Sequence, residues 1–197
     1  MNHLDLFDRI APIYALFYGY QRRGYAKAVD IIRSDYNPKT TLLDVGCGTG
    51  ALSSLLSTHF QVSAVDGAPK MITHARKQHQ GEPIDFQVGN ILTGLPYSDE
   101  QVEVVITSFM LHGLAPQERA MALKECCRIA SREVIVLDYS TGRNLLIDVV
   151  ERLENGHYFS FIATFTETLK QLPYPHQIIP LSKTSALYRI TKQKTDP

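Results

Sequence analysis

The chain has no tryptophan and only three cysteines among its 197 residues. Cys126 and Cys127 are adjacent and Cys47 stands alone, which gives neither an even disulfide framework nor the CxxC spacing of a zinc site. Reduced thiols are expected, with Cys126 and Cys127 as packing residues. An excess of either charge is also missing, because 20 Lys and Arg face 20 Asp and Glu. No block of five or more like charges occurs, so nothing favours a phosphate backbone or an anionic membrane as partner. No nucleic-acid partner is expected. No uncharged apolar stretch reaches the roughly 18 residues of a membrane span. The first residues, MNHLDLFDRIAP, mix acid, base and proline too early for a signal-peptide core. The expectation is a cytoplasmic protein with no membrane span. Repeats, low-complexity segments and Gly/Ser linkers are lacking too, and 44% hydrophobic residues suffice for one core. A single domain over 1–197 follows, with 191–197 as a frayed tail.

What is present is an alternation. Short apolar runs (TLLDV, QVSAVD, IDFQV) alternate with helical patterns (ALSSLLSTHF, then a segment opened by Pro69), the pattern of a parallel sheet with helical crossovers. Leu52, Leu55, Leu56 and Phe60 share one helix face, and Thr49 is placed to cap its first turn. VEVVITSF (102–109) and EVIVLDY (133–139) are nearly continuous β-branched runs, as central strands covered on both faces require. Ile84, Phe86 and Val88 alternate with polar residues, which suits the sheet edge. Pro116 starts a helix whose Ala120, Leu123, Cys127 and Ala130 share a face. Two helical stretches, 144–154 and 158–172, precede HQIIPLSKTSALYRI, read as a final hairpin in which Pro180 marks an edge strand.

The chemistry begins at LLDVGCGTG (42–50). Gly46, Gly48 and Gly50 stand where the first strand ends and the first helix begins, so the backbone can turn tightly and lie close to a ligand. A lone GxGxG is weak, since NAD enzymes use related loops. Asp44 decides more, because its charge beside the turn disfavours a bound pyrophosphate and favours a cationic ligand. S-adenosylmethionine fits: it has no phosphate, carries a sulfonium and an ammonium, and offers a ribose diol. Asp66, at the end of the second strand, can accept from both ribose hydroxyls. Asn90, after the third strand, can accept from an adenine amino group while the Ile91 amide meets a ring nitrogen. These residues lie at the ends of successive strands, where open α/β sheets bind ligands.

In these motifs the sequence resembles the class I S-adenosylmethionine-dependent methyltransferases over nearly its whole length. LLDVGCGTG matches the first motif, VDGAPKMI the second, and VGNILTGLPYSDEQVEVVITSFMLH the third and fourth. The resemblance implies a Rossmann-like α/β fold with helices on both faces of a seven-stranded, mostly parallel sheet, in strand order 3-2-1-4-5-7-6 with strand 7 antiparallel. It makes Gly46, Cys47, Gly48 and Gly50 the loop on the methionyl side, Asp66 the ribose acid, Met71 an apolar neighbour, and Asn90 with Ile91 the adenine contacts. Gly67 and Ser108, in the second and fourth motifs, complete the expected cofactor set. The family more often has Asp at position 90, and Asn keeps the acceptor oxygen.

The segment FDRIAPIYALFY is similar to the FDxIAxxYD segment of quinone-biosynthesis C-methyltransferases, with Ala15 in place of the usual Asp. The likeness implies that residues 1–40 form a helical segment covering the cofactor, with Tyr14 as a cofactor contact and Tyr18 and Tyr25 as acceptor-pocket candidates. Methyl transfer from a sulfonium needs alignment and exclusion of water more than a dedicated base. If the acceptor must lose a proton, His112, Asp138 and His157 are the candidates. Phe159, Phe161 and Phe165 can line an apolar pocket or serve as core. The expected acceptor is a small apolar or aromatic molecule. The (D/N/S)PP(Y/F) signature of amino-methylating nucleic-acid enzymes, the metal cluster of catechol-type O-methyltransferases and the paired-glutamate loop of arginine methyltransferases are all missing. Two other readings stay open: a non-catalytic S-adenosylmethionine-binding protein of the same fold, and an NAD(P)-dependent oxidoreductase.

Overall fold

A computed structural model describes residues 18–142 and 157–192, with side chains from residue 24. Tyr14, the helical stretch 144–154 and most of the tail lie outside them. Seven strands form one sheet in the order β3-β2-β1-β4-β5-β7-β6, the expected order. The strands are β1 (Thr41–Val45), β2 (Gln61–Asp66), β3 (Ile84–Val88), β4 (Val102–Ser108), β5 (Ala130–Tyr139), β6 (His176–Pro180) and β7 (Ser185–Thr191). Pairing is parallel in β1–β2, β2–β3 and β4–β5, and antiparallel in β5–β7 and β6–β7. Both expected edges hold: β3 carries Val88 53% exposed at one end of the order, and β6, which ends in Pro180, is the other.

The chain divides into two compact units, Met1–Pro96 and Tyr97–Pro197. In the first, helix α1 (Tyr18–Asp35) buries Tyr25, Ala28, Val29 and Ile32, a three-to-four-residue spacing that makes one apolar stripe. Helix α2 (Ala51–Ser57) buries Leu52 and Leu56, and helix α3 (Pro69–Gln78) starts with proline at its first position and buries Met71, Ile72 and Ala75. A cluster of Cys47, Ala64, Ile72, Ala75 and Phe86 fills the space between strands and α3. Thr49 does not cap α2. Gly50 is the N-cap, in a left-handed conformation (φ 79°) with no side-chain cap bond. The turn geometry demands the residue without a Cβ one position later than the hydroxyl.

In the second unit, β4 and β5 are buried along nearly their whole length, as their β-branched runs require. Helix α4 (Pro116–Ile129) buries Arg119, Ala122, Leu123, Cys126, Cys127 and Ile129. Ala120 faces outward, so the apolar face is rotated from the expected one and holds an arginine. The guanidinium is accommodated because Nε donates to Leu111 O (3.1 Å), one Nη donates to Leu114 O (3.1 Å), and the group lies 4.9 Å from the centre of the Phe161 ring. Helix α5 (Tyr158–Lys170) buries Tyr158, Phe161, Phe165 and Leu169. Phe161 and Phe165 stack at 4.4 Å, and Tyr188 meets Phe165 edge-on at 4.9 Å. These two phenylalanines are core, while Phe159 is half-buried.

All three cysteines are free and buried. Burial pushes the Cys127 thiol up to about 11 and raises Cys47 and Cys126 as well, so they are poor thiolates. Among the described residues, no helix is long and apolar enough to cross a membrane, and no group of His, Cys, Asp and Glu could hold a metal ion.

The inward position of Arg119 makes a direct prediction. Arg119→Ala removes the guanidinium donors to the carbonyls of Leu111, which keeps the Leu114 amide, and Leu114, along with the packing on Phe161, and is expected to lower stability by roughly 2–4 kcal/mol. Ala120→Gln should stay within about 0.5 kcal/mol of the native protein. Urea unfolding of the two variants measures both, and equal losses would return Ala120 to the buried face.

Candidate functional site

In the first unit the glycine loop is folded back onto β2. The amides of Gly46 and Cys47 both donate to Val65 O, at 2.8 and 3.1 Å, and the Gly50 amide donates to Cys47 O at 2.9 Å. The Gly48 amide donates to Asp66 Oδ2 at 2.8 Å. Four of the five amides from Gly46 to Gly50 therefore have protein partners. A phosphate cradle works the opposite way, by aiming unsatisfied N–H groups at an anion. This loop spends most of its donors on the protein, and the charge of Asp66 adds to the cost of ionising Asp44. The arrangement suits a ligand that brings donors and positive charge.

Two glycines are needed for different reasons. A Cβ on Gly50 would sit 2.8 Å from Phe86 Cζ and 3.0 Å from His79 Cδ2, at a φ of 79°. That glycine is required by crowding behind the loop. Gly48, at φ 55°, has nothing within 4 Å of its Cβ position, so its front is open.

Asp44 is fully buried at the end of β1. Its Oδ2 accepts from Ser53 Oγ at 2.6 Å, and its Oδ1 has no hydrogen-bond partner. Burial pushes its pKa up to about 7, opposed by the Ser53 hydroxyl and helped by the charge of Asp66. Asp66, half-buried at the end of β2, accepts from the amides of Gly48 and Ala68 at 2.8 Å each, the second closing a tight turn across Gly67. Each carboxylate oxygen keeps room for a further donor. Asn90 Oδ1 accepts from the Leu92 amide at 3.0 Å and so caps the short helical turn 91–93. An amide oxygen can take a second donor. Ile91 is buried, and Met71 is 2% exposed among core side chains. Tyr25 is likewise buried within α1, and the side chain of Tyr18 lies outside the described residues.

Sequence reasoning missed His79. Its ring is buried, Nε2 lies 3.1 Å from Thr49 O, and Nδ1 lies 3.0 Å from Glu82 Oε1. No local pattern marks it, since thirty residues separate it from the loop it touches. Gly89 was also unmarked: its Cβ position is 2.9 Å from both Leu95 Cδ2 and Val65 Cγ2, a close approach that only the fold creates.

In the second unit two catalytic candidates meet. His112 Nδ1 and Asp138 Oδ1 are 2.8 Å apart, the His112 amide donates to Asp138 Oδ2 at 3.2 Å, and the Tyr139 amide donates to Oδ1 at 2.8 Å. Asp138 is fully buried, while 13% of the His112 side chain is exposed. Aromatic rings surround the histidine: Tyr139 at 4.7 Å, Phe109 at 6.5 Å and Phe161 at 6.5 Å, with Tyr158 against Tyr139 at 4.9 Å. Phe109 is 37% exposed and adopts φ 47°, directly after Ser108 at the end of β4. His157, the third candidate, is an exposed residue that precedes α5 and gives no side-chain cap bond. It does not join the pair.

A sheet in this order, with an acidic glycine loop after β1, an aspartate at the end of β2 and an Asn turn after β3, defines the class I S-adenosylmethionine-dependent methyltransferase fold. The chain belongs to the methyltransferase-domain family, whose model matches residues 42–142. It is similar to the dTDP-3-amino-3,4,6-trideoxy-alpha-D-glucopyranose N,N-dimethyltransferase of Streptomyces venezuelae, with 30% identity over 52% of each chain. It also resembles the 2-phytyl-1,4-naphtoquinone methyltransferase of a Synechocystis strain, with 25% identity over 72% of this chain and 64% of that one. The match thus spans about half to two thirds of these relatives. Among solved structures, the magnesium protoporphyrin IX methyltransferase of Synechocystis with bound SAH superposes with a TM-score of 0.66 at 16% identity, covering 98% of this chain and 89% of that one.

The raised pKa of Asp44 makes stability depend on pH. Its folded-state value, about 7, lies above the ordinary 3.8, so folding favours the protonated carboxyl. That stabilisation is complete below pH 4 and disappears as pH rises through 7. The native protein should lose melting temperature across this window relative to Asp44→Asn, which lacks the titrating group. Parallel melting profiles for the two proteins between pH 4 and 8 would show that Asp44 is not held protonated.

Proposed function

We propose that this domain is an S-adenosylmethionine-dependent methyltransferase whose acceptor is a small apolar or aromatic molecule. The observation that carries the proposal is the loop after β1: four of its five amides donate to the protein, while a buried carboxylate oxygen of Asp44 lacks a donor. Such a site matches a ligand with an ammonium and a sulfonium better than one with a pyrophosphate, which counts against an NAD(P) enzyme. The cofactor, when bound, supplies a methyl group already activated on a positively charged sulfur. Gly46, Cys47, Gly48 and Gly50 shape the methionyl side. Asp66, fixed by two amides, receives the ribose hydroxyls beside Gly67. Asn90 and Ile91 meet the adenine, Met71 packs behind it, and Ser108 and Tyr14 complete the set, with residues 1–40 as its cover.

His112 is the proton acceptor in this reading. Asp138 fixes Nδ1–H toward itself, so a neutral imidazole keeps its lone pair on Nε2, where it can hold a proton from an O–H or N–H of the acceptor. The partly exposed ring of Phe109 and the rings of Tyr139 and Tyr158 give this histidine an aromatic setting, which favours a flat or apolar acceptor. The amino-sugar and naphthoquinone substrates in the names of its relatives support a small-molecule class. Buried free thiols fit a reducing compartment such as the cytoplasm.

Thermal unfolding with S-adenosylmethionine, S-adenosylhomocysteine and NAD(P) in parallel tests the cofactor. A ligand at about 100 times its Kd adds roughly 2.7 kcal/mol, which for a domain of this size raises Tm by roughly 5–10 °C. The shift is expected with the two adenosyl ligands only and is expected to vanish in Asp66→Ala, whose own unfolding transition serves as the folding control. A shift with NAD(P) alone overturns the proposal. In a screen of aromatic and polar acceptors, turnover confined to polar ones would refute the acceptor class. Once an acceptor is found, His112→Gln should cut turnover roughly 100-fold and leave the S-adenosylhomocysteine shift intact, whereas undiminished turnover removes the histidine from the reaction.

A further inference from the structure

His79 lies behind the glycine loop, outside every motif that marks the cofactor site. Its ring is buried, stacked on Phe86 at a centroid distance of 5.8 Å and an interplanar angle of 26°. Nε2 reaches Thr49 O at 3.1 Å, and Nδ1 reaches Glu82 Oε1 at 3.0 Å. The Thr49 carbonyl can only accept, so Nε2 is the donor in that contact. The carbonyl so held belongs to the residue between two glycines at positive φ, Gly48 (φ 55°) and Gly50 (φ 79°). Gly50 itself is confined from behind by Phe86 and His79.

We propose that His79 is a positioning residue for the cofactor loop: through Nε2–H it pins the Thr49 carbonyl, and Glu82 fixes the ring's orientation through Nδ1. The effect is preorganisation. A residue left to choose among backbone conformations loses roughly 1–2 kcal/mol of freedom when a ligand orders it, and a loop held beforehand has already undergone that ordering. His79 touches no ligand, because its ring is enclosed by α3, β3 and the loop. The proposal rests on the adenosyl-cofactor reading given above, and its test separates the two.

Two substitutions dissect the ring. In His79→Gln the side-chain amide nitrogen takes the place of Nε2 and can still donate to Thr49 O. In His79→Asn it takes the place of Nδ1 and can donate only toward Glu82. Both lose the stacking on Phe86, so they share the packing defect and differ in the loop contact. Titration calorimetry with S-adenosylhomocysteine, alongside thermal unfolding of each unliganded variant, reads the difference. The expected result is comparable loss of Tm in the two variants, affinity of His79→Gln within about twofold of native, and affinity of His79→Asn reduced roughly three- to tenfold, the worth of one neutral hydrogen bond. Equal affinities in the two variants, whether both native-like or both weakened, overturn the positioning role and leave His79 a packing residue. Failure of the native protein to bind S-adenosylhomocysteine overturns the cofactor reading, and this inference with it.

Discussion

A single carboxylate ties the glycine loop to the strand beside it. Asp66 accepts from the Gly48 amide with one oxygen and from the Ala68 amide with the other, while the carbonyl of its neighbour Val65 takes the amides of Gly46 and Cys47. The loop after β1 and the turn after β2 are therefore one hydrogen-bonded object. Because most of its donors go to holding it together, what it presents outward is mainly acceptor oxygen and negative charge. The choice of ligand follows from that accounting more than from the glycines, which phosphate-binding loops share.

Buried acids sit at two strand ends and are satisfied to different degrees. Asp138 receives three donors, from the His112 ring, the His112 amide and the Tyr139 amide, and the buried guanidinium of Arg119 adds favourable charge nearby. Asp44 is served by Ser53 alone, and its Oδ1 has no partner. A fully buried carboxylate so sparsely served is costly to ionise, which is why its pKa rises. In the proposed function such a residue couples cofactor binding to its own ionisation: a cation brought near it favours the charged form.

The sheet was legible because its signals are local. Continuous β-branched runs announced β4 and β5, alternation around Phe86 announced the edge strand β3, and Pro180 announced the other edge. The placement of the glycine loop was legible for the same reason, since Asp44, the glycines, Asp66 and Asn90 each stand at or just after a strand end that periodicity locates. Where a position depended on a partner distant in the chain, the reading failed. Thr49 lost the cap to Gly50 because the crowding comes from Phe86 and His79. Ala120 lost the buried face to Arg119 because the carbonyls of Leu111 and Leu114 and the Phe161 ring receive the guanidinium. Phe161 and Phe165 had helical spacing compatible with either pocket or core, and only the approach of Tyr188 from β7 decides it. Likewise His112 and Asp138 stand 26 residues apart, and nothing in the sequence pairs them.

Phe109 extends this argument to the acceptor side. A phenylalanine at φ 47° is in a conformation that side chains with a Cβ adopt at a cost of about 1–2 kcal/mol. Its amide is held by Leu137 O at 2.8 Å, so the strand pairing of β4 with β5 fixes the strained residue in place. The outcome is an aromatic ring 37% exposed, 5.2 Å from Tyr139 and 6.5 Å from His112. A relaxed backbone at this position would not direct the ring as this one does. Strain maintained beside an oriented histidine is a loss to folding, and it is intelligible if the exposed part of the ring is offered to something other than the protein.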